Sequence, residues 1–268
     1  MSEAKRPRVL VVANQKGGVG KTTTAINLGT ALAAVGESTL VVDIDPQGNA
    51  STGLGITRAE RRLTIYDVLM GEATIAQAVM PTRIPKLSLV ASTVDLSGAE
   101  LEMIDMERRN FRLKDALAEF ARSGEQKFSY VLIDCPPSLT LLTVNAMAAA
   151  DAVVVPLQCE FFALEGLSQL LKTIELVRAN LNPQLEIQGI VLTMFDKRNK
   201  LSDQVAADVR ENMGEKVYRT MIPRNVRVSE APSHGLPALV YDLRCPGSQA
   251  YIKLAGELIQ RERLRVAA

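Results

Sequence analysis

The sequence predicts an α/β fold in which a doubly wound, mostly parallel sheet carries helices on both faces. Short runs of β-branched and apolar residues alternate with longer stretches of helical periodicity along all 268 residues, an order that is typical of βαβ units. Several runs are apolar throughout, as expected of parallel strands that are covered on both faces. No repeat or linker interrupts this order, so we expect one domain over residues 1–268.

Seven runs are predicted to be strands and five longer stretches to be helices. The predicted strands are Val9–Ala13, Thr39–Val42, Leu87–Val90, Tyr130–Ile133, Ala152–Pro156, Ile187–Met194 and Val217–Ile222. The predicted helices are Thr22–Val35, Arg108–Ser123, Ala163–Asn180, Ser202–Met213 and Ser248–Arg265. A glycine or proline follows each of the first four helices within three residues, which is a stop signal.

Two further segments need their own interpretation. The apolar stretch 139–157 is interrupted by Asn145 and Asp151, so we interpret it as a buried helix followed by a buried strand rather than as a membrane span. The segment Gln47–Arg62 contains three glycines and is predicted to be a long loop, which is either a static connection or a segment that moves with the state of a bound ligand.

Composition is that of an ordinary globular protein, with 47% hydrophobic and 23% charged residues. The formal net charge is only +1, so the whole chain gives no electrostatic indication of a nucleic-acid partner. The charge is unevenly spread, however: residues 194–268 hold 13 Lys and Arg against 9 Asp and Glu, which leaves 18 against 21 for residues 1–193. The C-terminal quarter is therefore mildly basic.

The cysteines and the N-terminus indicate a reducing cytoplasm. Cys135, Cys159 and Cys245 are odd in number and far apart, which favours neither a disulfide framework nor a CxxC metal site. Residues 1–8 are polar and lack the apolar core of a secretory signal. We therefore expect a cytoplasmic protein. Since about eight residues precede the first strand, we expect no helix-turn-helix unit there.

A glycine-rich loop follows the first predicted strand and opens the first predicted helix. Glycines let backbone N–H groups converge on phosphate oxygens, and the helix N-terminus adds a positive potential. Lys21 would reach the β- and γ-phosphates, and Thr22 would be a Mg²⁺ ligand. The predicted phosphate-binding residues are Gly17, Gly18, Val19, Gly20, Lys21, Thr22 and Thr23. The strand before and the helix after distinguish this P-loop from a glycine-rich turn with incidental lysines.

The loop departs from the usual G-x-x-x-x-G-K-[ST] pattern. Gln15 stands where the first glycine is expected, and Lys16 adds a second lysine. Carboxylates follow two other predicted strands, Asp43 and Asp45 after the second and Asp134 after the fourth. Asp134 ends an apolar run in the manner of a Walker B aspartate, and we expect it to hold Mg²⁺ through a water molecule. Simple capping of the next loop remains an alternative role for Asp43.

The loop resembles the deviant Walker A pattern K-G-G-x-G-K-[ST] of the ParA, MinD and nitrogenase iron protein ATPases. The D-x-D-P-Q of Asp43–Gln47 and the segments Pro156–Gly166 and Ile222–Ser233 are similar to those of chromosomal ParA (Soj) proteins, and the resemblance covers nearly the whole chain. It implies a P-loop NTPase that binds ATP and Mg²⁺. It also implies that Lys16 contacts the nucleotide held by a second copy in an ATP-sandwich homodimer.

The same resemblance assigns further roles. It implies that Asp45 orients the attacking water, that Asp43 supports the Mg²⁺ shell, and that adenine lies near Pro223 and Asn225. Phosphoryl transfer requires mainly positioning and charge neutralisation, so Lys16, Lys21 and Mg²⁺ would supply most of the catalysis. A slow intrinsic rate is expected, because no Glu base or Gln is apparent.

The family resemblance further implies a nucleoid-associated protein. Such a protein binds double-stranded DNA without sequence preference, does not bind membranes, and is released when a ParB-like protein stimulates hydrolysis. The candidate DNA-binding residues are Lys197, Arg198, Lys200, Arg219, Arg227, Arg244 and Lys253. Cations aimed at phosphates are sufficient for such binding. Arg198 and Arg227 are the preferred candidates, although for any single one of the seven a solvated surface charge is the commoner role.

Two other classes of this superfamily fit the sequence less well. A membrane-cycling regulator similar to MinD requires an amphipathic C-terminal helix with bulky apolar residues, whereas residues 257–268 contain no aromatic residue. An electron-transfer iron protein requires two suitably placed cysteines, and the position of Cys135 directly after Asp134 does not match that spacing.

Overall fold

The computed structural model describes residues 6–124 and 127–267. Its strands are β1 (Arg8–Val12), β2 (Thr39–Asp43), β3 (Val79–Pro81), β4 (Leu87–Val90), β5 (Tyr130–Asp134), β6 (Ala152–Gln158) and β7 (Glu186–Thr193). All seven form one sheet in the order β3-β4-β2-β5-β1-β6-β7. Every pair is parallel except β3 with β4, so the predicted mostly parallel, doubly wound sheet is confirmed.

Helices cover both faces of this sheet. They are α1 (Lys21–Ala34), α2 (Asn49–Gly53), α3 (Ile65–Met70), α4 (Ile75–Ala78), α5 (Leu96–Glu102), α6 (Arg112–Ser123), α7 (Leu141–Ala149), α8 (Ala163–Asn180), α9 (Lys200–Met213), α10 (Val226–Glu230), α11 (Ala238–Tyr241) and α12 (Pro246–Ala267). One hydrophobic core joins the sheet to α3–α9. A second core lies on the other face, under α1, α2 and α10–α12.

The alternation of side chains along each strand explains the two cores. Val9 and Val11 of β1 belong to the first core, whereas Leu10 and Val12 belong to the second. Since successive residues of a strand point to opposite faces, an apolar run is needed when both faces are covered. The uniformly apolar strands of the sequence therefore arise from burial on both sides.

The predicted strand Val217–Ile222 is wrong. This segment forms no regular strand beside β7: Val217 makes an isolated bridge with Ile190, and the amides of Tyr218 and Ile222 donate to the carbonyls of Ile190 and Leu192 at 2.9 and 2.8 Å. The amides of Arg219 and Thr220 instead donate to the two carboxylate oxygens of Glu257 on α12, at 2.8 and 3.0 Å. A side chain from a distant helix thus takes the Thr220 amide, which lies between the two amides that bond β7.

Three other predictions differ in detail. β3 was not predicted; it is a three-residue antiparallel edge strand that ends in Pro81, where a missing N–H is tolerated. Helix α6 begins four residues later than predicted, because Arg108 has a left-handed φ of 57°. The segment Gln47–Arg62 is not a structureless loop, since it contains α2 and the 3₁₀ turn Arg58–Glu60.

Strand order places the polar strand ends together. β5 lies between β1 and β2, and its Asp134 is level with Val12 of β1 and Asp43 of β2. The glycine-rich loop leaves β1 at this same edge. Because ligands of open parallel sheets bind beyond the carboxyl ends of the strands, this edge is where the candidate site is built.

Candidate nucleotide and magnesium site

The glycine-rich loop connects β1 to the N-terminus of α1. Gly18 and Gly20 have left-handed φ values of 76° and 88°, which residues with a side chain rarely adopt. No side chain caps α1 at Gly20, and the first N–H groups of a helix have no partner within it. The loop therefore presents free backbone donors at the positive end of a fourteen-residue helix, which suits a phosphate.

Neighbouring strands hold this loop in place. The buried side chain of Asn14 donates to the carbonyl of Pro156 at 2.7 Å and accepts from the amide of Lys16 at 3.0 Å. The hydroxyl of Thr193, at the end of β7, donates to the carbonyl of Val19 at 2.9 Å. Three strands thus fix the loop, and the role of Thr193 was not predicted, because no motif marks it.

Lys21 lies where the P-loop pattern predicts. Its side chain is largely buried, and Nζ donates to the carbonyl of Lys16 at 2.8 Å. Burial lowers the pKa of Lys21, and the nearby carboxylates of Asp134 and Asp45 oppose that shift. A desolvated ammonium next to a phosphate-binding loop is well placed to bind an anion.

Asp134 is a buried carboxylate without a partner. Its residue is fully buried, and neither oxygen meets hydrogen-bond geometry with any group in the described part of the chain. Burial raises the pKa of Asp134 well above its usual range, and the carboxylate of Asp43 adds to this, whereas the Thr22 hydroxyl and Lys21 oppose it. Such an orphaned anion beside a threonine hydroxyl fits Mg²⁺, which prefers oxygen ligands.

Asp43 is held by the segment that follows β2. One oxygen accepts the amide and hydroxyl of Ser51, at 2.9 and 2.7 Å, and the other accepts the amide of Asp45 at 3.2 Å. Burial raises the pKa of Asp43 to about 6. These bonds are the capping contacts that the alternative role requires, and the register beside Asp134 also leaves Asp43 next to the expected ion.

Asp45 lies at the mouth of the site. One oxygen accepts the amide of Gln47 at 2.9 Å, and the residue is 7% exposed. The structure therefore brings Lys21, Thr22, Asp43, Asp45 and Asp134 together at one edge, as the sequence predicted from three separate loops.

The predicted adenine-binding segment lies beyond the end of β7. The amide of Phe195 donates to Ile222 and the amide of Arg224 donates to Phe195, both at 3.0 Å, so the chain around Pro223 runs beside the strand that anchors the glycine loop through Thr193. The Asn225 side chain caps α10 by accepting the Val228 amide at 3.3 Å.

Lys16 forms an ion pair within its own chain. Its ammonium contacts a carboxylate oxygen of Glu160, in the connection between β6 and α8. The two side chains remain 39% and 32% exposed. The sequence did not indicate this partner, because 144 residues separate the two positions.

The seven basic candidates divide into paired and unpaired groups. Arg198 binds Asp196 through two hydrogen bonds, of 3.0 and 2.8 Å. Arg227 binds Glu230 at 3.1 Å and approaches Asp242 at 3.8 Å. The other five candidates are exposed and form no ion pair within the described residues; they are Lys197, Lys200, Arg219, Arg244 and Lys253.

These candidates come from two parts of the fold. Lys197, Arg198 and Lys200 follow β7. The remaining four lie around α10 and α12: Arg219 is joined to α12 through Glu257, Arg227 is on α10, Arg244 precedes α12 and Lys253 is within it. Helix α10 packs on the start of α12, where a side chain at Gly247 would meet Val228.

A cavity of the described chain lies elsewhere. It has a volume of about 750 Å³ and lies at the amino ends of the strands, beside Arg8 and Tyr130. Arg8 is already bonded to Glu262 and Glu186, at 3.1 and 3.2 Å. The candidate site is therefore assigned from its chemistry rather than from cavity size.

All three cysteines are buried, and within residues 6–124 and 127–267 no cluster of three or more His, Cys, Asp or Glu is arranged to bind a metal ion. In the same ranges we find no helix with the length and apolar character needed to span a bilayer.

Comparisons with known proteins agree with this geometry. A family model described as an AAA domain matches residues 7–187. The chromosome partitioning protein ParA of Caulobacter vibrioides (strain NA1000 / CB15N) is 66% identical over 260 residues, which cover 97% of each chain. The sporulation initiation inhibitor protein Soj of Bacillus subtilis (strain 168) is 49% identical over 251 residues, covering 94% of this chain and 98% of the relative.

Solved structures show the same fold. Cobyrinic acid a,c-diamide synthase from Mycobacterium smegmatis, with bound ATP analogue and magnesium, has a TM-score of 0.83 at 36% identity and covers 96% of both chains. The cell division ATPase MinD from Pyrococcus furiosus has a TM-score of 0.77 at 28% identity, over 94% of this chain and 98% of that one. Because the sequence similarity to ParA and Soj extends over nearly the full length of the chain, we conclude that the chain belongs to the ParA/Soj family of chromosome-partitioning ATPases.

Proposed function

We propose that this chain is a DNA-partitioning ATPase that binds ATP and Mg²⁺, forms a homodimer in the ATP state and then binds double-stranded DNA without sequence preference. A ParB-like protein stimulates hydrolysis and releases the protein from DNA, so the protein is cytoplasmic and nucleoid-associated. The observation that carries the proposal is the buried, unpartnered Asp134 carboxylate, which lies beside Lys21 and Thr22 at the glycine-rich loop. A bound cation would neutralise the charge of the Asp134 carboxylate, and a bound polyphosphate would neutralise that of the Lys21 ammonium.

Each residue of the site has a role in the hydrolysis of ATP. Gly17, Gly18, Val19, Gly20 and Thr23 bind phosphate through the backbone, and Lys21 adds a positive charge. Thr22 and Asp134 would hold Mg²⁺, with Asp43 in support, and the bound ion would neutralise charge on the phosphates. Asp45 orients the attacking water, and Lys16 of a second copy completes the site. No Glu base is apparent, so the intrinsic rate is slow.

The nucleotide base is proposed to bind beside the end of β7. Pro223 and Asn225 lie on the segment that runs along Phe195, and Thr193 ties the same strand to the glycine loop. A nucleotide whose phosphates lie on the loop would therefore have its base near this segment.

DNA binding is supported by the unpaired cations. Arg219, Arg244 and Lys253 lie around α12 without carboxylate partners in the described chain, so their charges remain available to phosphates. A dimer presents each cation twice, and the affinity of such a surface depends steeply on salt and on the nucleotide state that controls dimerisation.

Membrane cycling of the MinD type is the weaker alternative. Tyr251, Leu254 and Leu258 of α12 are buried in the core, whereas Leu264 is 64% exposed. A single exposed leucine is a small apolar face for insertion into lipid. If the protein sedimented with liposomes only in the presence of ATP, the alternative would be favoured.

The proposal is tested by measuring DNA binding with no nucleotide, ADP, ATP and a slowly hydrolysed ATP analogue, each over a salt series. Tight binding is expected only with ATP and the analogue, and it should weaken steeply with salt. Equal affinity in all four conditions would contradict the nucleotide switch.

A further inference from the structure

We propose that Glu160 is a positioning residue. It binds the Lys16 ammonium in the free protomer and releases it when that ammonium binds the nucleotide of a second copy. We call this Lys16–Glu160 ion pair the latch. The inference rests on the proposed ATP-dependent homodimer. In the described chain the Lys16 ammonium binds its own Glu160 carboxylate, whereas the proposed function requires the same ammonium to reach a phosphate on the other subunit. An ammonium that bridged both groups would keep the Glu160 carboxylate beside a negatively charged phosphate, so we infer that dimerisation breaks this ion pair.

Hydrogen bonds hold the backbones of both Lys16 and Glu160 in place. The Lys16 amide is bound by the Asn14 side chain at 3.0 Å, and the Lys16 carbonyl accepts Lys21 Nζ at 2.8 Å. The Glu160 amide donates to Gln158 at 2.9 Å and its carbonyl accepts the Ala163 amide at 3.0 Å. Because these bonds hold both backbones, we infer that the ammonium changes partner by side-chain rotation, which is fast.

The exposure of the pair makes it a weak latch. Both side chains are about one-third exposed, and ion pairs of this kind shift an equilibrium by about two- to fivefold. A dimer opens one such pair in each protomer. The combined effect on the dimer dissociation constant is the square of the single effect, about 4- to 25-fold.

The surface beside the latch suits a second protein chain. Phe161 and Phe162 follow Glu160 directly and are 74% and 59% exposed, with their rings in edge-to-face contact. Exposed aromatic residues are enriched at protein interfaces. Since Lys16 must cross to a second copy from this point, we assign a second copy as the partner that covers the two rings.

The test compares Glu160→Gln with the full-length parent protein. Dimer dissociation constants are measured by sedimentation with Mg²⁺ and the slowly hydrolysed ATP analogue. Glu160→Gln should dimerise about 4- to 25-fold more tightly at low salt, and the difference should shrink at high salt because exposed charges are screened. Glu165→Gln, an exposed carboxylate on the following helix, is the matched control and should match the parent.

A double-mutant cycle isolates the contact. In a Lys16→Ala background, Glu160→Gln should have no further effect on dimerisation, because the lysine it would release is absent. Glu160→Asp, which keeps the charge, should lie nearer to the parent. An equal effect with and without Lys16, or tightening by Glu165→Gln as well, would overturn the assignment.

Two results separate the latch from the homodimer on which it depends. If the parent protein dimerises with the analogue and Glu160→Gln shows the same or weaker affinity, the latch alone is wrong. If the parent remains monomeric at every concentration with the analogue, both the homodimer and the latch are overturned.

Discussion

At the residue scale, the site concentrates charge that the protein itself does not neutralise. Asp43 and Asp134 are both fully buried and adjacent in the sheet register, and burial raises the pKa of each above its usual value. Lys21 has the opposite shift for the same reason. Desolvated charges of this kind cost stability in the free protein, and bound ligands that pair with them recover that cost.

The first prediction concerns Asp134→Asn in metal- and nucleotide-free buffer. A carboxyl whose pKa is higher in the folded state binds more protons there, so stability falls as pH rises above the unfolded value of about 4. Asn cannot ionise. The melting temperature of the variant minus that of the parent should therefore be more positive at pH 8 than at pH 5, by about 3–6 °C for each unit of pKa shift.

Asp208→Asn, a change of an exposed carboxylate on α9, is the control for this measurement. The change in the melting-temperature difference between pH 5 and pH 8 should be larger for Asp134→Asn than for this control. The same Asp134→Asn protein should lose ATP hydrolysis. A melting-temperature difference that is equal at pH 5 and pH 8 would contradict the assigned ionisation.

At the scale of elements, the segment after β2 is organised by one buried hydroxyl. Ser51 on α2 donates to Asp43 at 2.7 Å and accepts the amide of Ser92, after β4, at 3.1 Å. Arg61 adds bonds to the Ser92 carbonyl at 2.9 Å and to the Thr52 hydroxyl at 2.8 Å. Two strand ends and a short helix are thus joined, which favours a static connection in this state.

The second prediction is that Ser51→Ala lowers the free energy of unfolding by about 1–3 kcal/mol, because it removes a donor to a buried carboxylate and the acceptor of a buried amide. Urea denaturation without ligands measures the decrease. Ser97→Ala, at an exposed position of α5, should change stability by less than about 0.5 kcal/mol. Similar decreases in both variants would show that Ser51 does not organise the segment.

At the scale of the whole molecule, the two faces of the sheet differ in their proposed use. Helices α10 and α12 belong to one core, with four of the basic candidates around them, and α6 belongs to the other. These four candidates are Arg219, Arg227, Arg244 and Lys253. Lys253 has no ion-pair partner among the described residues, whereas Arg227 shares its guanidinium with Glu230 and Asp242. The DNA-binding roles of both residues remain predictions, and on this distribution of ion pairs we expect Lys253 to contribute more than Arg227.

The third prediction follows from this distribution of charge. Lys253→Ala should weaken ATP-dependent DNA binding. It should also make the negative slope of log affinity against log salt less steep, by about 1 for each DNA phosphate that Lys253 neutralises. Arg227→Ala should change the slope by less. The control is Arg122→Ala, an exposed change on α6 at the opposite face, which should leave both quantities unchanged. Equal weakening by Arg122→Ala would mean that the DNA-binding surface has been misplaced.

The sequence by itself determined the strands of the sheet core, the glycine loop and the aspartates, because these depend on local spacing: burial on both faces demands apolar runs, and a phosphate demands glycines at a helix start. Only the tertiary structure decided which distant groups pair. Glu257 accepts the amides of Arg219 and Thr220, which interrupts pairing between β7 and the segment Val217–Ile222. Glu160 binds Lys16, which is 144 residues away in the sequence. Such pairings depend on which distant segments the fold brings together, and the local sequence around each residue does not contain that information.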